Sequence, residues 1–124
     1  MNRKDLEERL IEFAVAIVQI AESNVRMKSS VHLSGQLMRS GTSPALNYGE
    51  AQSAESSKDF IHKIQIVLKE LRETNICLRI ILKTRYFADE DEIVKALNES
   101  NELISIFVKT VSTAKKNQKS PTLN

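Results

Sequence analysis

Arg39-Ser-Gly-Thr-Ser-Pro-Ala-Leu-Asn-Tyr-Gly-Glu-Ala51 is the stretch on which the reading of the fold turns. It holds two of the three glycines and the only proline outside the C-terminal tail. Taken alone it looks like an active loop. Both flanks, however, read as amphipathic helix, which makes the stretch a bend within a helical segment. Proline lacks a backbone donor and clashes with the preceding turn, so this segment, from about Ser30 to Glu55, is expected to break or bend near Pro44. Ser40, Thr42 and Ser43 stand where their hydroxyls can bond the backbone groups so released.

Working outward, the first helix spans about Asp5 to Ser23. Leu6, Leu10, Phe13, Ile17 and Ile20 alternate by fours and threes, the seam of a bundle helix. The third runs from near Ser57 to about Tyr86, with Phe60, Ile64, Val67, Leu71, Leu78 and Ile81 as its seam and Ser56 and Asp59 in capping-box spacing. The fourth opens at Asp89, with Glu92 in the same spacing, and continues through Ile93, Leu97, Ile104, Phe107 and Val111 to about Ala114. Short links make consecutive helices antiparallel neighbours. The expected fold is all-α: an antiparallel up-down-up-down four-helix bundle over residues 1–114, with a polar tail over 115–124.

Composition agrees. At 124 residues, 41% hydrophobic and 27% charged, the chain is sized for one soluble domain, and three Gly and two Pro leave few turns for a β fold. The lone cysteine, Cys77, lies in an apolar run, which reads as a packed, inert thiol. One thiol cannot form an internal disulfide, and no segment reads as a membrane span or signal core, so the expected location is cytoplasmic.

A bundle helix needs one buried face, and two helices here carry more. Ile11, Val15 and Val18 form a second stripe on the first helix. On the third, Ile76, Cys77 and Ile80 lie away from the seam, with Ile66 on the same side. Apolar stripes at helical spacing on two elements make contiguous patches, which mark an interface between copies of the chain.

Catalytic chemistry finds no footing. His32 and His62 fall far apart on the expected hairpin. Asp59 and His62 have a carboxylate–histidine spacing used in bundle metal sites, but such sites need two Glu-x-x-His pairs and two further glutamates. Asp59 is read as a cap and His62 as a contact of Glu50. No nucleophile constellation is present, and Ser40-Gly-Thr-Ser lacks the ending of a phosphate loop. The expectation is a protein without enzyme activity, metal or cofactor.

Net charge is only +2, but it is segregated. Residues 23–49 and 103–124 contain no acid, whereas 89–102 hold six acids and only Lys95. Arg26, Lys28, Arg39, Lys115, Lys116 and Lys119 are therefore the candidate contacts for an RNA or DNA partner. Without aromatic residues interleaved among them, such contacts would reach phosphates and depend strongly on salt.

Gln36-Leu-Met-Arg-Ser-Gly-Thr-Ser-Pro44, Asn47-Tyr-Gly-Glu-Ala51, Ala54, Ser56, Asp59-Phe-Ile-His-Lys63 and Leu68-Lys-Glu-Leu-Arg-Glu73 together resemble the signature of the bacterial 23S ribosomal RNA intervening-sequence proteins. Two positions depart from it: Asn75-Ile-Cys-Leu78 stands where relatives often carry an aromatic pair, and Leu46 replaces a small residue. The resemblance implies a cytoplasmic four-helix bundle assembled as a ring-shaped homopentamer. The family is also similar to the accessory variability protein of diversity-generating retroelements, a basic pentamer that binds nucleic acid and a reverse transcriptase. Most members have no known activity. Two expectations follow: an oligomeric accessory protein that contacts RNA or DNA, or an oligomeric adaptor whose partner is another protein.

Overall fold

A computed structural model describes residues 1–87 and 89–118. It contains α1 (Arg3–Glu22), α2 (Lys28–Ala51), α3 (Ser57–Thr84) and α4 (Glu90–Gln118). Each helix packs against the next in order, and α1 also meets α4 along a much slighter contact. This is the expected four-helix bundle.

Local chemistry sets the helix ends. Asn2 caps α1: its side chain accepts from the Asp5 N–H at 2.9 Å, and Asp5 accepts from the Asn2 N–H at 3.3 Å. Ser56 accepts from the Asp59 N–H at the start of α3, and Asp89 from the Glu92 N–H at the start of α4. Arg85 ends α3 in the left-handed region, at φ 59°. Beyond it, the Val25 N–H donates to the Tyr86 carbonyl at 2.8 Å, and Asn24 pairs with Phe87 as an isolated bridge. The end of α1 is thereby held level with the end of α3.

The link from α1 to α2 is tied by a polar knot. The wholly buried Ser30 hydroxyl bonds the Val25 carbonyl and Asn24 Oδ1, while Asn24 Nδ2 donates to the Ala21 carbonyl and to Ser34 Oγ. Every buried side-chain nitrogen and oxygen among the described residues has a partner, as burial without one would cost about 1–3 kcal/mol each.

The core takes the α1 seam as read: Leu6, Leu10, Phe13, Ile17 and Ile20 are all buried. In α3, Ile64, Val67, Leu71, Leu78 and Ile81 are buried and Phe60 is only partly covered, with Ile61 inside instead. In α4, Ala96 and Leu103 take the inward positions expected of Leu97 and Ile104. Cys77 is buried, not on the outer stripe, and lies under Leu33 with its sulfur 3.8 Å from the Leu33 carbonyl oxygen.

Of the break or bend expected at Pro44 the structure excludes only the break, and α4 outruns its expected end. α2 runs unbroken through Pro44, which is itself buried. Thr42 Oγ1 donates to the Met38 carbonyl at 2.8 Å and Asn47 Nδ2 to the Ser43 carbonyl at 3.0 Å, so side chains bond carbonyls on either side of the proline. Tertiary packing holds the turn together: a Cβ on Gly41 would collide with Ile17 Cγ2, so the Ile17 side chain of α1 sits directly on the α2 backbone where only hydrogen fits. α4 also continues past Ala114, through Lys115 and Lys116 to Gln118, so the tail begins later than residue 115. Two lysines at the negative end of the helix dipole favour that extra turn.

Candidate functional site

Two apolar grooves flank α2. One lies between α1 and α2 and presents Ile11, Val15 and Val18 beside Ala45 and Leu46. Ile11 and Val15 are exposed, Val18 half-buried, and Leu46 is 67% exposed. The other lies between α2 and α3 and presents Leu33, Ile76 and Ile80, with the edge of Cys77 at its floor. Ile76 and Ile80 are exposed and Ile66 is half-buried. Burial pushes the Cys77 thiol pKa up, with a smaller push from Glu73, so the sulfur stays protonated and unreactive.

Sorting charge by helix face reveals what a linear reading hides. The exposed residues of α3 are Ser57, Lys58, His62, Gln65, Lys69, Arg72, Ile76, Arg79, Ile80 and Lys83, with five cations and no acid among them. The two acids of α3 nearest this stripe are neutralised by Arg39, although Glu73 lines the same groove as Ile76 and Ile80. Glu70 is buried and pairs with Arg39 at 3.1 Å, and Glu73 pairs with the same guanidinium. On α1, the exposed residues from Glu8 to Glu22 are Glu8, Ile11, Glu12, Val15, Gln19 and Glu22, with three acids and no cation.

The six cations singled out from the sequence do not form one surface within the protomer. Arg26 and Lys28 sit where α1 gives way to α2. That end also carries Glu22 and the acids Asp89 to Glu92, and Arg85 pairs there with Glu90 at 3.8 Å. Lys115 and Lys116 lie at the opposite end, roughly 36 Å away along the 24 residues of α2. Lys119 lies outside the described residues. Arg39 is on the outer edge of α2, held by Glu73 and Glu70, which raise its pKa further, the Glu73 hydrogen bond foremost.

Arg39 therefore has structural work within the protomer. Arg39→Met is expected to lower stability by about 1 kcal/mol, because it strips Glu70 of its partner while the arginine side chain itself is half-exposed. The check is a urea midpoint that falls at unchanged slope. Unaltered stability with weakened RNA binding would show that Arg39 serves a partner instead.

The remaining polar groups do not converge on a catalytic arrangement. His32 and His62 are both exposed on different helices. Glu50 bonds Lys63 at 2.6 Å and not His62, because the lysine reaches back across the α2–α3 turn. Burial raises the pKa of Tyr48, whose ring packs edge-on against Phe107 at 5.6 Å. A third groove, between α1 and α4, is lined by Glu12, Glu92, Glu99 and Glu102 with Lys95. Arg9 spans its rim with a two-pronged bond to Glu99 and a third to Glu102. Among the described residues there is no group of three or more His, Cys, Asp or Glu side chains disposed to hold a metal.

Basic groups missed by the sequence reading gather at the end where α1 and α3 begin and α4 stops. Arg3 bonds Gln52 there at 3.0 Å, and Arg3, Ser57 and Asn117 border one open pocket. Lys109 lines a neighbouring pocket with Phe60. Arg3, Lys4, Lys58, Lys109, Lys115 and Lys116 thus share this end, against the acids Asp5, Glu7, Glu8, Glu50, Glu55 and Asp59, of which Asp5 caps α1 and Glu50 pairs with Lys63.

No helix among the described residues is long and apolar enough to cross a membrane. A search of curated proteins finds no match. Among solved structures, the chain is similar to a protein of unknown function from the S23 ribosomal protein family of Bacteroides thetaiotaomicron, at 32% identity and a TM-score of 0.80. The alignment covers 90% of this chain and 99% of that one. The sequence model for the 23S rRNA-intervening sequence protein matches residues 5–109, and with the bundle and the helix-two motif in place the chain belongs to that family.

Proposed function

We propose that the protein is a non-catalytic helical scaffold that assembles with copies of itself, as the homopentamer implied by the family resemblance, and holds the phosphate backbone of RNA or DNA against its basic end. The observation that carries the nucleic-acid part is the gathering of Arg3, Lys4, Lys58, Lys109, Lys115 and Lys116 at one end of the bundle. A ring of parallel copies displays that end repeatedly on one face, so the phosphate contacts of one protomer are multiplied. Contacts of this kind orient a nucleic acid without reading its bases.

The test is a gel shift with duplex RNA and duplex DNA over a salt series. Binding should weaken steeply as salt rises. Combining Lys58→Glu, Lys109→Glu and Lys115→Glu should lower affinity on the order of tenfold or more and flatten the salt slope by roughly one unit per contact removed. These positions are exposed, so the helical content should be unchanged. No shift of either duplex at low salt would remove nucleic acid from the function and leave the protein-adaptor reading.

A further inference from the structure

The two charged faces are opposite in sign and matched in length and height. On α1, Glu8 and Glu22 bracket Ile11, Val15 and Val18. On α3, Lys69 and Lys83 bracket Ile76 and Ile80. Both brackets span fourteen positions, roughly 21 Å of helix. Glu12 lies inside the acidic stripe, and Arg72 and Arg79 lie inside the basic one. None of these seven charged groups is in an ion pair among the described residues.

Height is fixed independently. α1 and α3 run in the same direction, since one antiparallel helix separates them, and the Asn24–Phe87 bridge sets their ends level. Glu22 is therefore close to the height of Lys83, and Glu8 to that of Lys69. In a closed ring whose axis follows the bundle, neighbouring copies are related by rotation with no shift along the axis, so the two docking faces must meet at equal height. These do.

We propose that a second copy of this chain docks its α1 stripe on the α3 stripe of the first, in a head-to-tail interface. The proposal rests on the self-assembly reading above and names its contact. Apolar side chains fill the centre, Ile11, Val15 and Val18 against Ile76 and Ile80, and opposite charges close both ends. Complementary charge fixes the register and the choice of face, because pairing α1 with α1 or α3 with α3 sets like charges together. Both grooves adjoin α2, so docking at both turns the outer edge of α2, with Lys28, His32, Arg39 and Leu46, toward the ring interior.

Charge exchange tests this. One variant carries Glu8→Lys, Glu12→Lys and Glu22→Lys. A second carries Lys69→Glu, Arg72→Glu and Arg79→Glu. A third carries all six. Light scattering of the native full chain should give a multiple of its 14.0 kDa mass. Each three-fold variant should fall to the single-chain mass with its helical circular dichroism retained, and the six-fold variant should reassemble, because the exchanged charges again oppose. Mixing the two three-fold variants should also restore assembly, a readout that does not depend on the six-fold chain folding. A native chain that runs as a monomer would sink the self-assembly reading and this interface with it. A native oligomer untouched by either reversal, or reversals that neither mixing nor combination rescues, would overturn the interface alone.

Discussion

Gly41→Val should cost about 3 kcal/mol of stability, at the upper end for overpacking a filled core. The added Cβ alone would lie 2.4–2.9 Å from Ile17, a side chain with no solvent exposure and nowhere to move. Relief requires α1 and α2 to separate, which loosens Phe13 and Leu37 on either side of the contact. The comparison is Gly49→Ala, where a Cβ meets nothing within 4 Å. There the better helix propensity of alanine should stabilise by roughly 0.5–1 kcal/mol. Opposite signs in urea denaturation would establish the close approach. A Gly41→Val chain with the native midpoint would refute it.

Phe107→Ala should be as damaging, at about 3–5 kcal/mol, because Phe107 is fully buried and the cavity cannot collapse between two long helices. Part of the loss is the edge-to-face contact with Tyr48, worth about 0.5–1.5 kcal/mol beyond burial. For a domain of this size the melting temperature should drop by roughly 10–20 °C. Phe107→Leu keeps most of the volume and should recover more than half of the loss. Equal melting of the alanine and leucine variants would mean that filling this volume is not what sets stability.

Apolar periodicity made the helices legible, because a bundle buries one stripe per helix and the stripe of α1 is uninterrupted. The reading strayed where neighbours decide what is inside. Phe60 and Ile61 are equally apolar, and the structure buries Ile61 while leaving Phe60 half-covered beside α4. Cys77 belongs by sequence both to an apolar run and to the outer stripe, and it is packed beneath Leu33, as the run suggests. Pro44 signals a break in an isolated helix, but a helix packed on both sides tolerates one missing hydrogen bond. The sequence hid the charged faces for a similar reason. Lys69-Glu-Leu-Arg-Glu73 looks electrically mixed, and it is the pairing of Glu70 and Glu73 with Arg39 that leaves cations as the unpaired charges along this stripe of α3. Plotting the cations at 58, 69, 72, 79 and 83 by helical angle would have found the stripe; counting charges along the chain could not.

The three links between helices, residues 23–27, 52–56 and 85–89, are each five residues long. Most native contacts therefore join segments adjacent in the chain, a low contact order that places folding in the microsecond-to-millisecond range. Meeting another copy is a bimolecular event, slower at cellular dilution. Under the docking proposed above, each chain completes its bundle alone before it joins another, and refolding should resolve into a fast phase independent of concentration and a slow phase that accelerates as chains are added. In that scheme, the time between those phases is the interval in which a finished monomer, its Ile76 and Val15 still bare, is most exposed to competing partners.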